Sequence, residues 1–309
     1  MMRAVLCFMF FVLSVGSSPA TTGKSACDLC GATLGNRYWV DESGSHCYCE
    51  NCFKTAPRCQ GCGTLVGKNA RKIRGSYLCR ECLKGRPVCA DCGLPILDRY
   101  FEIPGVEEKF CDRCFEDHPH CRFCNRPYDP KRVPSQDGLF SCPRCREKAI
   151  RDSDEVRRIF KKLDIWLREN LELDIHHKIT LSILPTLDDS RDKPKKRIYA
   201  ELGEFRRKGD RFTITVLESL PEETLYETLA HELAHAWQAE NPVPNQRLIV
   251  KEGFAQWVAS KVLKEFRFEN SLKRLKTRDD LYGEGYRLME SIERKNGPRA
   301  VFQFTATSR

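Results

Sequence analysis

Thr228-Leu229-Ala230-His231-Glu232-Leu233-Ala234-His235-Ala236-Trp237 carries the pattern H-E-x-x-H inside an Ala- and Leu-rich run. The composition of the run is helical. On a helix, residues four apart share a face, so His231 and His235 point at one spot. Two imidazoles so placed suit a zinc ion. Glu232 directly follows the first histidine and falls near the same spot, where a carboxylate can take a proton from metal-bound water. The plain alternative is a surface helix with two solvated histidines.

Working outward, Ser219-Leu220-Pro221-Glu222-Glu223 reads as the start of this helix, with a serine cap, an early proline and an acidic first turn. Asn241-Pro242-Val243-Pro244-Asn245 ends it. A second helix, over 248–266, carries Glu252-Gly253. Glu252 follows His235 after 16 intervening residues and supplies the third ligand a catalytic zinc ion wants, with one position left open. Gly253 lets this helix approach the first closely. A solvated glutamate is the alternative for Glu252.

Upstream, Ser153 can cap a helix over 154–170, with Val156, Ile159, Phe160, Leu163 and Trp166 on one face. Residues 171–184 and 198–205 read as strands. Lys208-Gly209-Asp210 turns the chain into a further strand from Phe212 to Leu217. His176 and His177 fall on opposite faces of the first strand and are not taken as ligands. The basic run 193–197 reads as a solvated loop. A last helix over 279–296 carries Tyr282 and Tyr286.

Residues 27–145 have a different character. Cysteine pairs recur as Cys27/Cys30 with Cys49/Cys52, Cys59/Cys62 with Cys79/Cys82, Cys89/Cys92 with Cys111/Cys114, and Cys121/Cys124 with Cys142/Cys145. Within a unit 16 to 18 residues separate the two C-x-x-C pairs, and six separate each unit from the next. Two such pairs supply four thiolates to one tetrahedral zinc ion. Units this short cannot bury an adequate core without metal or disulfides. Four structural zinc ions are therefore expected. A disulfide scaffold is the competing reading, and the uniform spacing speaks against it. Only Cys47 and Cys7 fall outside the pairs. His46 with Cys49 is an alternative second ligand pair in the first unit, and His118 poses the same question beside Cys121. Short segments such as Asn36–Val40 and Asp98–Glu102 read as hairpins closed by the second pair.

The 309 residues include 52 basic and 43 acidic side chains, a net charge of +9. This is a mild bias that suits a mixed-charge solvated surface. No unit has the long base-reading helix of a DNA finger, so no nucleic-acid partner is expected. Residues 1–20 read as a signal peptide, with Arg3, an apolar run from Ala4 to Gly16, and small residues before a cut after Ala20. The run is shorter than the ~20 apolar residues that span a bilayer. The expected product is exported, periplasmic or secreted, with no stable membrane span.

The pieces Cys89-Ala90-Asp91-Cys92-Gly93-Leu94-Pro95-Ile96 and Lys109-Phe110-Cys111-Asp112-Arg113-Cys114-Phe115 resemble halves of LIM domains. LIM fingers usually lie two residues apart and use a histidine in the first site, whereas here the spacer is six and the ligands read as cysteine throughout. The further pattern His231-Glu232-x-x-His235-Ala236-Trp237, Val250-Lys251-Glu252-Gly253 and Tyr282-Gly283-Glu284-Gly285-Tyr286-Arg287 resembles the LIM-containing zinc peptidases of the plant organ-size regulator group, the DA-one family. The resemblance covers residues 120–305 and, in general style, the earlier units. It implies a gluzincin-type endopeptidase with His231, His235 and Glu252 on zinc. Plant members work inside the cell and carry ubiquitin-interacting motifs. This chain has an expected leader and no acidic helix of that kind, so ubiquitin-dependent activation and the plant substrates are not carried over.

The expected fold class is α+β: tandem small four-cysteine zinc modules, LIM-like and rich in β-hairpins, followed by a mainly α, zincin-like domain with a small sheet. The expected domains are a leader over 1–20, zinc modules over 27–84 and 85–148, and the peptidase domain over 150–309. One catalytic and about four structural zinc ions are expected. In that scheme Glu232 is the general base, and Tyr282 or Tyr286 is a second donor to the oxyanion. The substrates would be proteins or peptides, and the array would bind a protein partner or regulate the enzyme. An array that masks the active site predicts that deleting 21–148 raises basal cleavage. The alternative function is a non-catalytic, zinc-module interaction scaffold.

Overall fold

A tight knuckle, a hairpin and a short helix recur along the first half of the chain because each cysteine pair does the same local work. After each first pair the chain must turn with positive φ. The residues there are Gly31, Gly63, Gly93 and Asn125, at φ of 74°, 71°, 71° and 59°. Glycine, or failing it asparagine, is the residue that accepts this geometry at least cost. The knuckle then closes by a backbone bond onto its own start, as from Cys59 N to Thr64 O at 2.8 Å and from Cys121 N to Arg126 O at 2.7 Å. Each second pair opens a short helix, with its first cysteine as the N-cap residue.

The computed structural model describes residues 15–16, 25–41, 44–67, 70–131, 141–184 and 202–308. Two compact units make up the chain, Met1–Arg99 and Tyr100–Arg309. In the first, β1 (Val15–Gly16), β2 (Tyr38–Val40) and β3 (Cys47–Tyr48) form an antiparallel sheet that leads into α1 (Glu50–Thr55). The hairpin β4 (Arg71–Ile73) and β5 (Ser76–Leu78) leads into α2 (Arg80–Leu83). Apart from Val15–Gly16, the expected leader lies outside the described residues, as does the basic run 193–197.

In the second unit, the hairpin β6 (Tyr100–Glu102) and β7 (Lys109–Cys111) leads into α3 (Asp112–Asp117), and the last cysteine pair opens α4 (Pro143–Glu147). Glu108, beside β7, pairs with Arg126 at 2.5 Å and with Arg144, tying this hairpin to the knuckle and helix of the last cysteine group. The remainder is mixed α/β. It comprises α5 (Ser153–Leu171), β8 (Ile179–Leu184), β9 (Gly203–Lys208), β10 (Arg211–Leu217), α6 (Glu222–Glu240), α7 (Leu248–Glu265), α8 (Glu269–Lys276), α9 (Leu281–Asn296) and α10 (Pro298–Thr307).

The sheet runs β8-β10-β9, with β10 parallel to β8 and antiparallel to β9. The β9–β10 hairpin turns at Gly209, φ 61°, as the sequence predicts. Phe212, Ile214 and Val216 alternate along β10 and are fully buried. Helices α6 and α7 are buried over most of their length and form the centre of the unit. Trp257 is wholly buried, and Phe302 of α10 packs edge-on against Trp237, Phe254 and Trp257, with ring centroids 5.1, 5.3 and 5.7 Å away. Burial of these rings is the chief stabilising term here.

Several expectations are corrected. The segment before β8 is not strand: Glu172 adopts φ 56° after α5, and β8 begins only at Ile179. His176 and His177 therefore do not alternate across a strand. Both backbone amides, at 2.7–3.0 Å, and both Nδ1 atoms, at 2.6 and 3.1 Å, instead contact the Glu240 carboxylate at the end of α6. Asp152, rather than Ser153, caps α5. Ser219 does not cap α6, because it sits at φ 57° and the cap residue is Pro221, which has no side-chain acceptor. The strand expected over 198–205 is described from Gly203, where β9 begins, and residues 198–201 of it lie outside the described residues. Helices α8 and α10 had no expectation.

Candidate functional site

Two kinds of donor cluster stand out. The first recurs: the sulfurs of Cys27, Cys30, Cys49 and Cys52, of Cys59, Cys62, Cys79 and Cys82, and of Cys121, Cys124, Cys142 and Cys145 lie within 4.8 Å of one another in each group, while Cys89 and Cys92 belong to the first unit and Cys111 and Cys114 to the second. Zinc–sulfur bonds of ~2.3 Å at tetrahedral angles place sulfurs roughly 3.8 Å apart. Cys30–Cys49 and Cys62–Cys79 are each 3.8 Å apart, and Cys124–Cys142 3.6 Å. No described cysteine forms a disulfide. These groups fit zinc.

In the second group the backbone favours a thiolate at the first cysteine, Cys59. Burial raises the Cys59 thiol, yet the amides of Cys79, Cys62 and Gly61 outweigh it and bring the pKa down to about 6. Gly61 has a steric reason as well: a Cβ there would come within 2.9 Å of Cys82 Sγ. Each group is complete in cysteine. His46 Nδ1 lies 2.7 Å from Asp41. His118 ends α3, and its backbone N–H donates to Cys114 O. Cys47 is buried in β3, where its amide donates to Asp28 at 2.6 Å.

The second cluster is built by α6 and α7. His231 and His235 are one turn apart, and their Nε2 atoms approach to 3.0 Å. Glu252 Oε2 lies 3.2 Å from His231 Nε2 and 3.4 Å from His235 Nε2. Ligand bonds of ~2.0–2.1 Å at tetrahedral angles separate donor atoms by roughly 3.3 Å. The three atoms thus form a triangle of the size zinc requires. Burial opposes the charge on Glu252, but hydrogen bonds from His231 and His235 outweigh it and hold the carboxyl well below the usual carboxylate range.

Gln238, which sequence reasoning missed, fixes the ring of His235. Its Nε2 donates to Lys251 O at 3.0 Å, so its Oε1 faces His235 Nδ1 at 2.8 Å. An oxygen there accepts a hydrogen bond from Nδ1–H, which leaves the Nε2 lone pair for the centre of the triangle. Gln238 sits three residues after His235, a polar side chain on an apolar helix, and that was its available signal.

Glu232 is buried on the next face of α6, and burial raises its carboxyl pKa. The Phe205 amide opposes that shift. Gly203 makes room: a Cβ there would stand 2.4 Å from Thr228 Cγ2 and 3.1 Å from Glu232 Cγ. Gly253 serves a different neighbour from the one expected. It meets Gly285 of α9, where a Cβ would lie 2.6 Å from that residue's backbone. This contact of α7 with α9 sets Tyr282 beside the cluster, with its ring centroid 6.2 Å from that of His231. Arg278 stacks over the Tyr282 ring at 4.7 Å. Tyr286 is placed elsewhere: its hydroxyl donates to Glu290 at 2.5 Å, and burial together with that carboxylate pushes its pKa up.

No family model matches the chain, and no solved structure matches it. Among curated proteins it is similar to Protein DA1-related 1 of Arabidopsis thaliana, at 22% identity over 309 residues, 86% of this chain and 50% of that protein. The chain spans about half the length of that relative. It is a distant homologue of a plant DA1-family protein over most of its length, with cysteine groups compatible with LIM-like zinc modules.

Proposed function

We propose that this chain is a zinc-dependent endopeptidase of gluzincin type, with a zincin-like catalytic domain over 150–309 and a LIM-like zinc array over 27–148. The carrying observation is the triangle of His231 Nε2, His235 Nε2 and Glu252 Oε2, with edges of 3.0, 3.2 and 3.4 Å, beside the buried carboxyl of Glu232. Zinc held there supplies Lewis acidity towards a carbonyl and acidifies water to a pKa of about 7.

The chain's own residues do the rest. Burial brings the Glu232 carboxyl nearer to neutrality, which suits a group that takes a proton from water and returns it to a leaving amine. Tyr282 is the second donor for the oxyanion, because its ring lies beside His231 with centroids 6.2 Å apart. Tyr286, committed to Glu290, is a packing residue in this scheme. Substrates are proteins or peptides, and the apolar start of the chain supports an exported, periplasmic or secreted setting. No helix among the described residues is long and apolar enough to cross a membrane.

Glu232→Gln tests the reading, with an unfolded dye-labelled protein as substrate. Turnover should fall about 10²–10⁴-fold with the zinc content unchanged. Cleavage at the wild-type rate would remove Glu232 from the chemistry. No cleavage by the wild type would favour the interaction scaffold.

A further inference from the structure

The start of α6 lacks the cap that its sequence advertises. The first amides of a helix have no partner within it, and Pro221 offers no side-chain acceptor. The partner comes instead from the end of the fourth cysteine group. Glu222 N donates to Lys148 O at 3.1 Å, Ile150 N donates to Leu220 O at 2.9 Å, and Ala149 pairs antiparallel with Pro221. Only two residues lie between Cys145 and Lys148, the residue that ends α4.

A second contact reaches the same turn from the β6–β7 hairpin. Gly105 at its tip, φ 70°, presses on α8 so closely that a Cβ would stand 2.1 Å from Asn270 O and 3.2 Å from Arg274 Cγ. One turn of α8 then holds Glu223 of α6: Ser271 Oγ donates to it at 2.6 Å, and Arg274 donates to Ser271 at 2.5 Å. Glu108 joins the two arms by pairing with both Arg126 and Arg144. Phe123, inside the fourth knuckle, packs on the core that contains Leu225 and Leu229 of α6.

We infer that Lys148–Ile150 is the N-terminal clamp of the active-site helix. Metal in the Cys121, Cys124, Cys142 and Cys145 group positions α6, so this group supports the site instead of masking it. A unit of this size keeps its shape through its metal. When the group empties, Lys148 O no longer has a fixed place opposite Glu222 N, and the first turns of α6 fray. His231 lies nine residues further on, roughly 13 Å along the helix, so looseness at the start reaches the triangle as misplacement. The clamp itself stands independently of the peptidase reading, and only its effect on turnover rests on that reading.

Hydrogen exchange on the full zinc-loaded chain tests this without any substrate. Cys142→Ser/Cys145→Ser should contain one zinc ion fewer, and the stretch 220–230 should exchange roughly tenfold faster or more. Helix α10 should keep its wild-type protection. Because cysteine variants can misfold, Ile150→Pro provides a second route, since it removes the amide that donates to Leu220 O and spares every ligand. It should retain the full zinc content and show the same faster exchange at 220–230. Wild-type exchange at 220–230 in both variants would overturn the clamp, as would a rise only in step with α10. Turnover above wild type in the cysteine variant would overturn the supporting role in favour of masking. Faster exchange in a protein whose wild type cleaves nothing would keep the clamp and sink the peptidase reading.

Discussion

The cysteine modules and the helical region solve the same stability problem by opposite means. The first, second and fourth modules each bring four sulfurs into reach of one another over about thirty residues, with very small apolar clusters such as Val66, Ile73 and Leu78 beside the second group. The helical region gathers a continuous core from α5 to α10 in which many side chains are wholly buried. The helical region rests on its apolar area, and modules this small would need metal in their cysteine groups. Where the two meet, at Lys148–Ile150, the end of the fourth cysteine group completes a hydrogen-bond pattern that the apolar part cannot complete alone.

The strongest way to break this comparison is metal removal. A chelator in excess should collapse the four modules while most of the helix signal in circular dichroism persists, since α5 to α10 hold most of the helical residues. Loss of helix and modules in a single step would show that the core does not stand alone. In the other direction, Trp257→Ala should destabilise the helical region by about 3–5 kcal/mol in denaturant melts, with four zinc ions still held by the modules.

Gly285→Ala sits between these effects. Its Cβ would meet Gly253 Cα and Ile249 O at 2.6 Å, too close to backbone for relaxation by rotamers. A loss of about 1–3 kcal/mol is expected. Zinc affinity at the helical site should weaken because α7 also carries Glu252, while module occupancy stays whole by native mass spectrometry.

The smallest effect is a pH dependence. Burial opposes the Glu240 charge, but the amides of His176 and His177 and then their rings outweigh it, bringing the pKa to about 2. A depressed carboxyl contributes stability that is present above its ordinary pKa and lost as pH falls through the folded value. Glu240→Gln should therefore cost about 1–2 kcal/mol near neutrality. The difference from wild type should shrink between pH about 4.5 and about 2. A difference constant across that window would show that the charge of Glu240 contributes nothing.

What was legible in the sequence was what local chemistry dictates. Side chains that could share a metal follow fixed spacing, so the pairing of the cysteines and the approach of His231 to His235 could be read directly. Glu252 could be read because zinc wants a third donor and a second helix offered one. The left-handed position after each first pair was visible as Gly31, Gly63, Gly93 and Asn125. Tertiary partners were not legible. The cap of α6 is a backbone carbonyl of Lys148, and any residue supplies a carbonyl, so Ser219 was the natural but mistaken choice. Gly253 signalled a close approach without saying to what, and the answer is Gly285 of α9 rather than α6. His176 and His177 alternate as strand residues do, yet Glu240, 63 and 64 residues further along the chain, holds both amides. Tyr282 and Tyr286 share a helical face, and only packing separates the one near His231 from the one bound to Glu290.

The central claim is that the helical region carries a metal site distinct from the modules. Counting zinc per chain by native mass spectrometry, for the wild type and for His231→Ala/His235→Ala, tests it most directly. Five ions in the wild type and four in the variant are the predicted result. Equal numbers in the two proteins would contradict it, leaving His231, His235 and Glu252 as a hydrogen-bonded cluster without a metal.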